Sequence, residues 1–235
     1  MRVATEQTIA WPPRPLSLGG DAAGAWPAML ASACVEYEGD LVGDGAPAGA
    51  LRRAEFALGR LCAAFALGQL DAATLQVGRG ERGVPIWPDG FVGSITHTLG
   101  FVAAVVARAE DCLAVGLDAE RTGAVSEDLW PLVFSPAEID GLRRLRARRP
   151  RALAAARMFT AKEAYYKAQH PRTGRRLGFK DASVTLAKRA FAVSSRSDRS
   201  GPFAQVTGQS LARPGTVIAV IVVPPPSSAS GQRRM

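Results

Sequence analysis

Apolar residues recur along this chain with two different periods, and the change of period marks its elements. Between Arg52 and Leu70, Phe56, Leu58, Leu61, Cys62, Phe65 and Leu67 fall at helical spacing among alanines. This predicts an amphipathic helix. The stretch from Phe91 to Ala109 holds FVAAVVA, an apolar run fit for a buried strand, and Leu113 to Leu117 predicts another short one. Ser135-Pro136-Ala137-Glu138 places an N-cap serine, a proline at the first helical position and a glutamate three after the cap. That is a helix start. The helix is expected to run through Leu142 and Leu145 to Arg149 and to be broken by Pro150. A second helix is expected from Arg151 to Gln169, ending before Pro171. Val184 to Leu186, Phe191 to Val193 and Val217 to Val223 read as strands.

Punctuation falls between these segments. Pro12, Pro13, Pro15, Gly19 and Gly20 make residues 1–20 an extended arm. GRGERGVPIWPDG (78–90) reads as loop. The tail PPPSSASGQRRM (224–235) lacks apolar side chains to bury and reads as disordered. What remains is α+β in two halves, 21–113 and 114–223. The late run TVIAVIVV echoes FVAAVVA, which suggests a duplicated unit.

Composition narrows the classes. Of 235 residues 47% are hydrophobic, enough for a sizeable core. The net charge is +8, and 25 of the 29 cations are arginine, with lysine only at 162, 167, 180 and 188. Arginine suits phosphate and carboxylate partners, so an anionic small molecule, an acidic protein or nucleic acid is expected. Cys34, Cys62 and Cys112 are odd in number and form no CxxC. This speaks against a disulfide framework or zinc cluster and for a reducing compartment. No signal core and no apolar run of about 18–20 residues is found, so a cytoplasmic protein with no membrane partner is expected.

Three short stretches carry candidate chemistry. In Val115-Gly116-Leu117-Asp118-Ala119-Glu120 an apolar strand runs into two carboxylates on one side. Such a pair is either an ordinary polar strand end or, with a cation between, a hard oxygen site suited to Mg²⁺. In FTAKEAYYK (159–167), Glu163 and Lys167 share a helix face. They form either a surface ion pair or part of a site, and the flanking Phe159, Ala161, Ala164 and Tyr165 leave little width for a solvated face. In GSITHTLG (93–100), His97 sits among hydroxyls and glycines, as a core histidine or as a ligand contact.

Taken together and in order, RRAEFALGR, PIWPDGFVGSITHTLG, VGLDAE, FSPAE, FTAKEAYYKA and PRTGRRLGF resemble the 4′-phosphopantetheinyl transferases of the surfactin/enterobactin-synthetase class. Gly116 to Glu120 is similar to the family's Gly-Ile-Asp-x-Glu strand end. Phe159 to Lys167 is similar to its Trp/Phe-x-x-Lys-Glu-Ala-x-x-Lys helix, with 42 residues from Glu120 to Lys162. The resemblance spans roughly residues 50–180. It implies a pseudo-dimer of two similar α+β subdomains with the site in the cleft between them. The implied reaction moves the phosphopantetheine arm of coenzyme A onto a serine of an apo carrier protein and releases adenosine 3′,5′-bisphosphate.

Residue by residue, the resemblance implies Asp118, Glu120 and Glu163 as ligands of Mg²⁺, or Mn²⁺ in its place. Glu163 is also implied as the general base and Lys167 as the phosphate contact that stabilises the leaving group. Lys162, Thr96 and His97 are implied as further contacts to coenzyme A phosphates, Arg53 and Arg60 either as grips on its 3′-phosphate or as solvated arginines on the helix, and Arg82 as a further coenzyme A contact of open role. Arg82 stands three residues before Pro85, where the family usually has a base directly before the proline, so Arg79 is an alternative there. The implied partners are acidic peptidyl, aryl or acyl carrier domains of non-ribosomal peptide or polyketide synthases, served by a monomer. The dense run Arg143, Arg144, Arg146, Arg148, Arg149 and Arg151 either docks such a carrier or is a solvated helix end. A nucleic-acid-binding module lacks aromatic–basic interleaving and any helix-turn-helix or zinc spacing, and it leaves the three carboxylates unexplained. A family member that binds carriers without catalysis would not need the intact acid and lysine set.

Overall fold

The computed structural model describes residues 12–16, 29–37, 41, 42, 47 and 49–226, without the side chain of Arg82. In chain order the elements are β1 (Ala31–Glu36), α1 (Ala50–Gly68), β2 (Gly78–Arg79), β3 (Pro85–Ile86), β4 (Phe91–Thr98), β5 (Phe101–Arg108), β6 (Ala114–Arg121), α2 (Trp130–Val133), α3 (Pro136–Arg144), α4 (Arg148–Thr173), β7 (Ala182–Leu186), β8 (Ala190–Ser195), β9 (Gln205–Arg213) and β10 (Thr216–Val223). The expected α+β class holds. One antiparallel sheet has the order β1-β5-β4, and a larger one β6-β10-β9-β8-β7.

Strand alternation sorts the core into layers. On β5, Val102, Ala104 and Val106 face α1, while Phe101, Ala103, Val105 and Ala107 face the second sheet. There they meet Val115, Leu117 and Ala119 of β6 and Ile218 and Val220 of β10. The opposite faces of β6 and β10 are covered by Ala161, Ala164, Tyr165 and Ala168 of α4. A helix therefore lies on each outer side and two sheets lie between. The N-terminal segment joins this core: Arg14 exchanges two backbone hydrogen bonds with Cys34, and Leu16 is buried between the sheets. The remainder of the expected arm and residues 227–235 of the expected tail lie outside the described residues.

The two sheets meet along an edge at β4 and β6, where side chains replace a backbone ladder. Ser94 Oγ accepts from Leu117 N at 3.0 Å, and Thr96 Oγ1 accepts from Ala119 N at 3.0 Å. The single strand expected within 91–109 is in fact a hairpin, because GSITHT is a strand whose polar inward residues serve this seam. Gly100, at φ 84°, makes the turn.

The prolines also act differently from expectation. Helix α3 ends at Arg144, and Pro150 is the third residue of α4 rather than a break. The first-turn N–H groups have no intrahelical partner, so proline loses nothing there. Pro171 lies inside the last turn, and the helix stops two residues later before Gly174 at φ 67°. Ser135 caps α3 with both halves of the capping box formed. Arg143 and Arg144 complement the α3 dipole, whereas Arg148, Arg149 and Arg151 oppose that of α4, and Glu127 pairs with Arg151 at 2.9 Å.

Candidate active site

Three elements bring the motif residues together. β6 presents Gly116, Asp118 and Glu120 toward α4 by strand alternation. α4 crosses so close to β6 that a Cβ on Gly116 would lie 1.9 Å from Ala164 O. Only glycine permits that approach, and it puts Glu163 and Lys167, one turn apart, over the end of β6. The third element is β4, through Thr96.

Lys167 Nζ donates to Asp118 Oδ1 at 2.7 Å and to Thr96 Oγ1 at 3.3 Å, which uses two of its three protons. Thr96 Oγ1 in turn donates to Asp118 Oδ1 at 3.2 Å. Asp118 is 4% exposed, and its Oδ2 is buried with no hydrogen-bond partner among the described residues. A buried carboxylate oxygen left bare costs about 1–3 kcal/mol, and a cation placed there would remove that cost.

The acids push on one another. Burial raises the Asp118 carboxyl above its ordinary range against the pull of Lys167. Burial and then the Asp118 charge push Glu120 up to about 7. Burial and the Asp118 charge likewise raise Glu163, with Lys167 opposing. The three groups share one field that favours a positive guest. Among the described residues, however, no three His, Cys, Asp or Glu side chains lie close enough to share a metal ion as they stand.

Two cavities open at this point. One of about 510 Å³ is lined by Trp87, Phe91 and Ser94 on one side and by Tyr166, Lys167 and His170 of α4 on the other. A second of about 210 Å³ is lined by Glu163, Tyr166, Leu177 and Phe179. Tyr166 belongs to both, and its ring stacks on His170 with centroids 4.9 Å apart.

Two expected phosphate contacts are corrected by their surroundings. The Lys162 side chain is 2% exposed, and all three of its donors are taken, by Val133 O, Glu138 Oε2 and Phe179 O at 2.8–3.0 Å. No proton is left for a ligand. Thr96 is 2% exposed, and its hydroxyl is spent on the seam, on Asp118 and on Lys167, so it orients the acid instead.

The remaining expected residues lie on the α1 side. His97 is exposed, with Nδ1 3.2 Å from Glu55 Oε2, and Glu55 also accepts from the Tyr37 hydroxyl at 3.2 Å. Arg53 is exposed on the first turn of α1. The guanidinium groups of Arg60 and Arg79 lie 4.6 and 5.3 Å from the Phe56 ring, and burial together with Arg79 lowers the pKa of Arg60. Arg60 also donates to Gly78 O at 3.1 Å. Arg82 lies in the turn Glu81–Gly83. Sequence reasoning assigns Ser94 no role and does not foresee the close crossing at Gly116. Glu138 reads there only as a capping residue, and its second task depends on a lysine 24 positions away.

Known proteins are similar to this chain in sequence. A family model described as the 4′-phosphopantetheinyl transferase N-terminal domain matches residues 40–107, and one described as the 4′-phosphopantetheinyl transferase superfamily matches 114–220. The chain is 37% identical over 182 residues to the 4′-phosphopantetheinyl transferase Svp of Streptomyces mobaraensis, covering 75% of this chain and 74% of that one. It is 42% identical over 142 residues to the 4′-phosphopantetheinyl transferase PptT of Mycobacterium tuberculosis, with 58% and 60% covered. It is 35% identical over 140 residues to enterobactin synthase component D of Salmonella typhimurium, with 59% and 56% covered.

Proposed function

The chain belongs to the 4′-phosphopantetheinyl transferase superfamily and is a transferase of phosphopantetheine to carrier proteins, and from that premise we propose that its donor is coenzyme A, its acceptor a carrier serine, and its site of transfer the cleft at Asp118, Glu163 and Lys167. The observation that carries this reading is the reach of Lys167 from α4 to Asp118 on β6, beside a cleft of about 510 Å³. It pairs a cation that lines this cleft with a buried carboxyl, and Glu120 and Glu163 feel the charge of that same Asp118.

The chemistry assigns each group a task. The serine oxygen attacks the β-phosphorus of the diphosphate, and the bond from that phosphorus to the bridging oxygen breaks. Adenosine 3′,5′-bisphosphate leaves with the bridging electrons. Glu163, made more basic by burial and by Asp118, takes the serine proton. Lys167 turns its remaining proton to the departing phosphate and stabilises the charge that develops there. Mg²⁺ or Mn²⁺, held by Asp118, Glu120 and Glu163, would supply charge neutralisation at the diphosphate. The bare Asp118 Oδ2 and the mutual repulsion of the acids fit a hard cation. Arg53 and Arg60 supply basic side chains for the 3′-phosphate, His97 contacts the coenzyme A phosphates, and Arg82 or Arg79 supplies a further cation from the 78–90 loop.

The acceptor is an acidic carrier domain of a non-ribosomal peptide or polyketide synthase. Arg148 and Arg149, which oppose the dipole at the start of α4, favour an acidic partner. One chain supplies both sides of the cleft, so a monomer suffices. Among the described residues no helix is long and apolar enough to cross a membrane.

Incubation with coenzyme A, Mg²⁺ and several apo carriers, read by intact mass, tests the reading. Addition of one phosphopantetheine group to at least one carrier is expected, and none when EDTA is present. Full transfer in EDTA would defeat the metal assignment, and no addition to any carrier by folded protein would defeat the reading itself.

A further inference from the structure

Lys162 sits at the centre of a buried knot that joins five segments. Its ammonium, on α4, donates to Val133 O at the end of α2, to Glu138 Oε2 on α3 and to Phe179 O in the turn Phe179–Asp181. Glu138 is 7% exposed and fully used. Its Oε2 also accepts from Ser135 N at 2.8 Å, and its Oε1 accepts from Val184 N of β7 at 2.8 Å. The other groups facing the ammonium are the Phe134 ring, at 5.5 Å, and the cations Lys180 and Arg196. Burial lowers the Lys162 pKa, and Glu138 opposes the loss of its charge.

The knot borders the site. Glu163 follows Lys162 directly, so fixing the Lys162 side chain fixes the rotation of α4 about its axis and with it the direction of Glu163. The same ammonium holds the carbonyl of Phe179. That ring packs on Phe159 at 5.4 Å and faces Glu163 across the cavity of about 210 Å³. We propose that Lys162 is a positioning residue: its buried ammonium clamps the Phe179 turn to α4, sets the wall of the cavity of about 210 Å³ that Glu163, the base proposed for the carrier serine, also lines, and touches no phosphate of the donor. The inference rests on the transferase reading only in its choice of activity assay.

Three variants test it. Lys162→Met removes the charge at similar length. Lys162→Arg keeps a phosphate-binding cation but brings a planar fork that does not fit a slot built for three converging acceptors. Lys162→Met combined with Glu138→Gln avoids leaving a buried carboxylate unpaired, which can unfold the single variant.

Coenzyme A affinity by calorimetry is expected to change less than about twofold in every folded variant. The KM for the carrier is expected to rise at least about tenfold in both Lys162→Met and Lys162→Arg. Hydrogen exchange at amides 179–184 is expected to accelerate in the double variant, a readout that needs no activity. The proposal is overturned if coenzyme A affinity falls tenfold while exchange at 179–184 is unchanged, or if Lys162→Arg restores wild-type kinetics. Failure of the transferase reading would show separately, as wild-type protein that loads no carrier.

Discussion

Glu163→Gln is expected to lower kcat for carrier loading by about 10²–10⁴-fold, the range for loss of a positioned general base. Glutamine has the same shape but does not accept the serine proton, and it weakens the set of oxygens available to a cation. The fold should not suffer. The residue is half-buried, and its pKa is raised by desolvation and by Asp118, so its charged form is held at a cost. Replacing it with a neutral amide relieves repulsion with Asp118, and thermal stability should stay level or rise. A site that stores such repulsion for chemistry gives up stability for it. Wild-type kcat in Glu163→Gln would contradict the role assigned here.

Gly116→Ala is the second large effect, and it acts through the fold. The added methyl would lie 1.9 Å from the carbonyl oxygen of Ala164 and 3.0 Å from Ala168 Cβ. Neither neighbour is the far end of a flexible side chain, so α4 must move off β6. Overpacking costs typically about 1–3 kcal/mol, and with backbone in the way the upper end is expected. This is a large share of the roughly 5–15 kcal/mol of a whole domain. The same shift parts Lys167 Nζ from Asp118 Oδ1, now 2.7 Å apart. Chemical denaturation should show the stability loss, and carrier loading by the fraction still folded should fall as well. An unchanged midpoint with full activity would mean that the close crossing of α4 and β6 does not hold the site together.

Much of this was legible in residue order. The α1 helix, the Ser135 capping box and the apolar run of β10 each follow from local rules and are found, but the buried face of α1 is Gly59, Cys62, Ala63, Ala66 and Leu67, while Phe56, Leu61 and Phe65 of the expected apolar face are exposed. The family resemblance marked Asp118, Glu163 and Lys167, and the family models and relatives bear out that membership. What escaped was set by distant partners. GSITHT carries no strand expectation of its own because its hydroxyls and glycine weaken the apolar signal, yet Ser94 and Thr96 spend those hydroxyls on β6. Lys162 reads as a ligand because a lysine beside a glutamate on a site helix is usually exposed. Its burial depends on Val133, Glu138 and Phe179, none of them near it in sequence. Pro150 reads as a break because the rule for proline applies to helix interiors, whereas it lies in the first turn, where the missing N–H has no intrahelical partner; Pro171 lies inside α4, which ends two residues beyond it.

The central claim is that a diphosphate belongs between the acids of β6 and the cations and base of α4. Crystallography of the chain with coenzyme A and Mg²⁺ tests it most directly. The account predicts the diphosphate against Lys167, with one cation between it and the oxygens of Asp118, Glu120 and Glu163, and with Lys162 still bound to Glu138. A nucleotide seated elsewhere, with Asp118 Oδ2 still bare and Lys167 turned away from phosphate, would contradict it.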